Sequence, residues 1–254
     1  MHLLDKLDRP IIFAHRGASI SAPENTLSAF ELAVKLGTRA IELDAMLSSD
    51  GIPVVIHDHT LERTTNGRGF VRNFTFADLL KLDAGSWFSD EYTGERIPTL
   101  EQVLKKLSND ILVNIELKNY HTPHDTLTES VLRLVEGLGL WDCVLFSSFL
   151  PGNLRIIRKR NPEAKAALLC PPGLKGWLMR SSMYMRLSPE FIHPFLGDVD
   201  KEFIAREHTR GRRVHVWTVN SQSKAKELFE NNIDGIFTDD PLSMQKEKTK
   251  SHPR

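Results

Sequence analysis

Short apolar runs alternate with amphipathic stretches along nearly the whole chain, and that rhythm restricts the fold more than any other feature. The runs fall at 11–14, 40–47, 53–56, 111–117, 144–147, 166–169, 191–193, 214–218 and 235–238. Strand-length runs separated by helical patterns predict repeated βα units around a parallel sheet. The runs at 40–47 and 53–56 are joined only through Ser48-Ser49-Asp50-Gly51 and are too close to hold a crossover helix, so they form a β-hairpin. With the hairpin arm set aside, eight parallel strands remain, the number of a (β/α)8 or TIM barrel. A length of 254 residues suits one such domain, expected to span 1–245.

The pattern breaks in two places. Between the hairpin and Pro98 it degrades into turn chemistry (Asn66-Gly67, Gly69, Gly85, Gly94) around one short helix near 76–82. This predicts a small insertion after the second strand, about 59–98, lying over one face of the barrel. At the C-terminus, 246–254 is polar and basic and is expected to be a disordered tail. Residues 174–187, with Trp177, Leu178, Met179, Met183, Tyr184 and Met185, are unusually apolar for an outer helix. A packed helix, a lid, a homo-oligomer face and a grip for an acyl chain are all open for it.

Composition excludes more than it selects. Lys+Arg and Asp+Glu balance at 33 each, so no net charge draws the chain to nucleic acid or to an anionic membrane. There is neither a continuous apolar leader nor a membrane-length run, which implies a cytoplasmic protein with no stable membrane anchor. The two cysteines, Cys143 and Cys170, border apolar runs and are expected to be free thiols.

The chemistry lies where charge interrupts the strands. Strands covered on both faces should be almost wholly apolar, yet Glu42 and Asp44 stand at i and i+2 of one strand. Glu116 and Lys118 repeat that spacing on another. Buried ionised groups need partners, which a network of Glu42–Arg16 and Glu116–Lys118 ion pairs supplies in part. A hard divalent cation, Mg²⁺ or Ca²⁺, explains better why three carboxylates, Glu42, Asp44 and Glu116, gather near strand ends. His15-Arg16-Gly17 follows the first strand and His57-Asp58 follows the hairpin arm, at positions that reach a barrel mouth. Histidine's unperturbed pKa of about 6.5 suits one neutral base and one protonated acid working together near neutral pH. Three carboxylates, one divalent cation and two bases leave one positive charge, which matches a phosphodiester monoanion held by Arg16 and Lys118. His193, at the end of a short strand, is a further candidate for contact with substrate.

These residues form an ordered set of motifs: His15-Arg16-Gly17, Pro23-Glu24-Asn25-Thr26, Glu42-Leu43-Asp44, His57-Asp58, Arg63-Thr64-Thr65-Asn66-Gly67, Glu116-Leu117-Lys118, Val216-Trp217-Thr218-Val219-Asn220 and Asp234-Gly235-Ile236-Phe237-Thr238-Asp239. In that order they resemble the glycerophosphodiester phosphodiesterase family, across roughly 11–242. The resemblance implies a barrel with an insertion after the hairpin. It also implies hydrolysis of small-molecule glycerophosphodiesters to sn-glycerol 3-phosphate and an alcohol. It makes His15 and His57 the general acid and base in an order left open, Glu42, Asp44 and Glu116 the metal ligands, and Trp217 a wall for the glycerol. A lysophospholipase D, or an enzyme that stops at a cyclic phosphate, would use the same residues. A zinc amidohydrolase would need more histidine ligands than the His57-Asp58-His59 pair supplies, and a non-catalytic module would not need the intact acid–base set.

Overall fold

Eight parallel strands close into a barrel in the computed structural model of the chain, which describes residues 1–107, 109–181, 184, 186–188 and 190–251. The strands are β1 (Ile11–His15), β2 (Ala40–Leu47), β4 (Leu112–Leu117), β5 (Val144–Ser148), β6 (Lys165–Cys170), β7 (Phe191–Pro194), β8 (Arg213–Val216) and β9 (Gly235–Thr238). Pairing of β1 with both β2 and β9 closes the ring. β3 (Pro53–Val55) lies outside it, antiparallel to β2, and is the hairpin arm. Around the ring run α1 (Leu27–Lys35), α3 (Leu100–Lys106), α4 (Leu127–Gly137), α5 (Pro151–Arg160), α6 (Gly173–Met179), α7 (Lys201–Thr209), α8 (Gln222–Glu230) and α9 (Pro241–Ser251). The short α2 (Phe76–Leu79) belongs to the insertion.

Two-residue periodicity sorts each strand into two environments. Outward residues such as Ile12, Ala14, Ile41, Leu43, Val113 and Ile115 join the helices in the main core. Inward residues at the strands' N-terminal halves, among them Ile11, Phe13, Ala40, Leu112, Leu145 and Phe191, fill the barrel, and Leu3 and Leu4 stopper its floor. Further along the same inward rows the chain turns polar: Phe13 gives way to His15, Ala40 to Glu42 and Asp44, Leu112 to Asn114 and Glu116. The barrel is dry at one end and charged at the other.

Helix ends obey their local chemistry. Thr26 caps α1 by accepting the Ala29 N–H, and Thr99 with Gln102 forms a capping box at the start of α3. The insertion has a core of its own, in which Leu61, Val71, Leu79, Ala84 and Ile97 pack on Met46, Val54 and Ile56 of the hairpin. Asp83 knits its turns by accepting the N–H groups of Gly85, Ser86 and Gly94.

Two expectations change. The polar tail is helical as far as Ser251, because α9 buries Met244 and Glu247 and reaches back through Gln245 to Thr38 and Lys248 to the Asp8 carbonyl. The last three positions, 252–254, lie outside the described residues. The apolar stretch 174–187 is not one packed helix. α6 ends at Met179, which is buried, while Leu174, Trp177 and Leu178 face outward. Tyr184 and Leu187 pack on the core, and Met183 and Met185 lie outside the described residues. Cys143 and Cys170 are free, and burial pushes the Cys170 thiol up to about 12, which favours the protonated thiol over the thiolate. No helix among the described residues is long and apolar enough to cross a membrane.

Candidate active site

Strand register brings the three carboxylates together. Asp44 pairs with Glu116 across β2 and β4, Glu42 lies one inward position below, and oxygen atoms from all three fall within 4.8 Å of one another. Glu42 and Asp44 are almost fully buried, and Glu42 Oε1 and Asp44 Oδ1 have no hydrogen-bond partner among the described residues. Burial, then the charges of Asp44 and Glu116, drive the Glu42 carboxyl far above its ordinary range, and Arg16 offsets only part of this. Asp44 moves the other way: burial works against its charge, but Lys118 and Arg16 outweigh it and hold it ionised. Lys118 Nζ lies 3.1 Å from Glu116 and 3.4 Å from Asp44. The expected Glu116–Lys118 pair is therefore in place, but Arg16 reaches Glu42 only through its backbone N–H and pairs instead with Glu24 and Asp44. Glu42 Oε1 has no donor among the described residues, and Asp44 Oδ1 meets Lys118 only as an ion-pair contact. An all-oxygen donor set with a carboxyl that ionises only beside more positive charge fits a hard divalent cation.

The turn after β1 builds one side. Arg16 and Gly17 both take positive φ, 57° and 88°, and a Cβ at Gly17 would stand 2.7 Å from Ala29. Only glycine fits that approach. The turn lays the Arg16 N–H on Glu42 Oε2 at 3.0 Å and its guanidinium between Glu24 (2.9 Å) and Asp44 (3.2 Å). Asn25, also at positive φ, donates to Asp44 at 2.8 Å.

Each histidine is held by a carboxylate. His15 Nδ1 meets Asp239 at 2.6 Å, and Asp239 also accepts from Ser19 and Asn220. Burial pushes the Asp239 carboxyl up, but His15 and these donors outweigh it and bring it down to about 2. His57 Nδ1 meets Asp58 at 2.6 Å, and Arg63 clamps Asp58 to Glu24. Burial draws His57 below its ordinary value; Asp44 and Asp58 pull it back in part, while Lys118 and Arg16 add to the fall. Because each carboxylate takes the Nδ1 side, each Nε2 is without a hydrogen bond among the described residues, and that of His15 lies 4.0 Å from Glu42.

His15, Arg16, Glu42, His57, Glu116, Lys118 and Trp217 line a single pocket of about 200 Å³ at the strands' C-terminal end. His193 does not. It is fully buried one layer below, 3.1 Å from His215, among Phe237 and other barrel-filling rings. Its carbonyl accepts the Trp217 indole N–H at 2.9 Å, so its link to the pocket runs through Trp217. Sequence reasoning had assigned no role to Asp239, Asn220, Glu24, Asn25, Asp58, Arg63, Tyr120 or Phe149. Their signal was position: Tyr120 and Phe149 lie just past the ends of β4 and β5 and line the pocket, and Asp239 follows β9 directly.

The model of the glycerophosphoryl diester phosphodiesterase family matches residues 15–243. The chain belongs to that family. As a member it is a phosphoric diester hydrolase by class, in agreement with the sequence motifs. A glycerophosphodiester phosphodiesterase of Caldanaerobacter subterraneus is 38% identical over 93% of this chain and 96% of the relative. One from Bacillus altitudinis is 37% identical over 91% of this chain and 94% of its own length. Among solved structures, an Oleispira antarctica phosphodiesterase in complex with the product sn-glycerol-3-phosphate superposes with a TM-score of 0.88. It is 32% identical, and the match covers 97% of this chain and 99% of that one.

Proposed function

We propose that this glycerophosphoryl diester phosphodiesterase hydrolyses glycerophosphodiesters to sn-glycerol 3-phosphate and an alcohol, with a divalent cation, Mg²⁺ or Ca²⁺, held by Glu42, Asp44 and Glu116. The observation that carries this is one pocket lined by two histidines, each held by a carboxylate, beside a cluster of three carboxylates in which buried Glu42 keeps an oxygen with no donor among the described residues. The cation would polarise a phosphate oxygen and neutralise charge as the P–O bond breaks.

This chain's residues supply the rest. Arg16 and Lys118 each spend two donors on carboxylates and keep others for the phosphate oxygens. One histidine takes the proton of the attacking hydroxyl, and the other returns one to the leaving alkoxide, each steered by its carboxylate. The attacking group is water or the substrate's own glycerol hydroxyl, and phosphorus NMR of single turnovers separates these by the presence of a cyclic phosphate. Trp217, fixed by the His193 carbonyl and packed edge-on against Phe149 and Phe195, gives the glycerol a flat wall.

A coupled assay for glycerol 3-phosphate over a panel of glycerophosphodiesters, with and without chelator, tests the proposal. His15→Ala and His57→Ala are each expected to lower kcat at least ~10²-fold. Activity that survives exhaustive chelation sinks the metal assignment, and near-normal turnover in both variants sinks the acid–base assignment. A lysophospholipid is a second substrate reading, favoured by exposed Leu174, Trp177 and Leu178 on the helix that follows β6. Adding lysophosphatidylcholine to the panel decides it.

A further inference from the structure

A second cavity of about 350 Å³ adjoins the catalytic pocket and shares Lys118 with it. The insertion forms one wall through His59, Phe70 and Arg72, and the loop after β4 forms the other through His121 and Thr122. A continuous row of rings leads from one cavity to the other. Lys118 Nζ lies 5.1 Å from the Tyr120 ring, Tyr120 is 5.7 Å from His121, and His121 is 4.3 Å from His59. His59 stacks on Phe70 at 5.7 Å, and the Arg72 guanidinium closes the row, 5.3 Å above the Phe70 ring.

The donors and acceptors of this cavity are unequal. Arg72 has neither an ion pair nor a hydrogen bond among the described residues, although its guanidinium carries five N–H donors. His59 and His121 add ring nitrogens. The carboxylate that lines the cavity, Asp125, is spent: Oδ1 accepts from Asn119 and the Leu127 N–H, and Oδ2 from Thr122. Among the described residues a cationic head group would find one carboxylate here, its oxygens already taken by Asn119, Thr122 and Leu127, and the exposed ring face open to it already carries an arginine. A polyol running over the rings towards an anion would find both contacts satisfied.

We propose that this cavity is the subsite for the leaving alcohol, and that through Arg72 it selects alcohols bearing a further phosphate group. The inference rests on the proposed phosphodiesterase activity and adds the head-group class that the insertion selects. A pair of probes isolates it: glycerophosphoglycerol, whose leaving group is plain glycerol, and bis(glycerophospho)glycerol, whose leaving glycerol carries a second phosphodiester. At about 0.15 M salt, long-range charge steering is damped and contact terms remain.

The native enzyme is expected to favour the second probe by about tenfold in kcat/KM, mainly through KM, as one charge-assisted contact provides. In Arg72→Gln that preference should fall close to unity, and in Arg72→Glu it should invert, with unchanged melting temperatures confirming the fold. Equal use of both probes by the native enzyme overturns the proposal. So does a loss in Arg72→Gln that is the same for both probes, since that marks a general surface charge. If neither probe yields glycerol 3-phosphate, the proposed activity has failed, and glycerophosphocholine in the same assay shows whether it failed for all substrates.

Discussion

Glu42 is the site carboxylate whose burial is least compensated. It is buried against two other carboxylates, and its Oε1 has no donor among the described residues. Burial and the two neighbouring carboxylates favour its protonated form, which glutamine copies closely in shape. Glu42→Gln is therefore expected to be at least as stable as the native protein when both are cation-free. With Mg²⁺ or Ca²⁺ at about a hundredfold over Kd, the native protein should gain about 2.7 kcal/mol, a rise of roughly 5–10 °C in melting temperature. The variant should gain almost nothing, which calorimetry with each ion reads without any turnover. A variant that is stabilised as strongly as the native protein would remove Glu42 from the ligand set. The carboxylate, histidine and basic residues were legible because charge in a covered strand is costly and so conspicuous. Asp239 and Asp58 were not, since carboxylates in loops are ordinary; only the histidines they hold make them informative.

At the level of elements, the eight strands, the hairpin arm and the insertion were readable from periodicity and turn residues. The errors share one cause, the reach of tertiary contacts. A run of polar residues at the C-terminus carries no hydrophobic face of its own, yet Glu247 is buried and Lys248 donates to the Asp8 carbonyl, far away in sequence. His193 shows the limit of a two-residue period, which gives the face of a strand but not its height in a tilted barrel. The insertion behaves as a small domain with a satellite core, and it carries one wall of the second cavity. Leu79 is fully buried there, so Leu79→Ala should cost about 2–4 kcal/mol of local stability. Native-state hydrogen exchange should show the loss in residues 60–98 and little change in β5 to β8. Uniform loss across the barrel would mean that the insertion is part of the main cooperative unit.

For the whole molecule, buried histidines tie stability to pH. Burial drives His193 down to about 3, and burial with neighbouring positive charge drives His215 well below its ordinary value. Burial also lowers His2 and His57. All four start from 6.5, so below that pH the unfolded chain binds protons that the folded chain refuses. Stability is then full above pH 6.5 and falls as the pH drops towards the folded values. Depressed carboxylates such as Asp239, at about 2 against 3.8, act only in a lower window, below pH 3.8. Glu42 has the opposite sign, because a raised carboxyl favours the folded state at low pH, so the cleanest background is cation-free Glu42→Gln. Between pH 6 and 4.5 His193 alone should cost roughly 1–2 kcal/mol there, and His215 adds in the same direction. Replacing His193 and His215 together by phenylalanine removes both partners of a buried hydrogen bond and should be nearly neutral at pH 7.5. Below pH 6 it should remove about half of the acid-induced loss, measured by urea unfolding across the window. Parallel stability curves for the two proteins would show that this buried pair takes no part in the acid response.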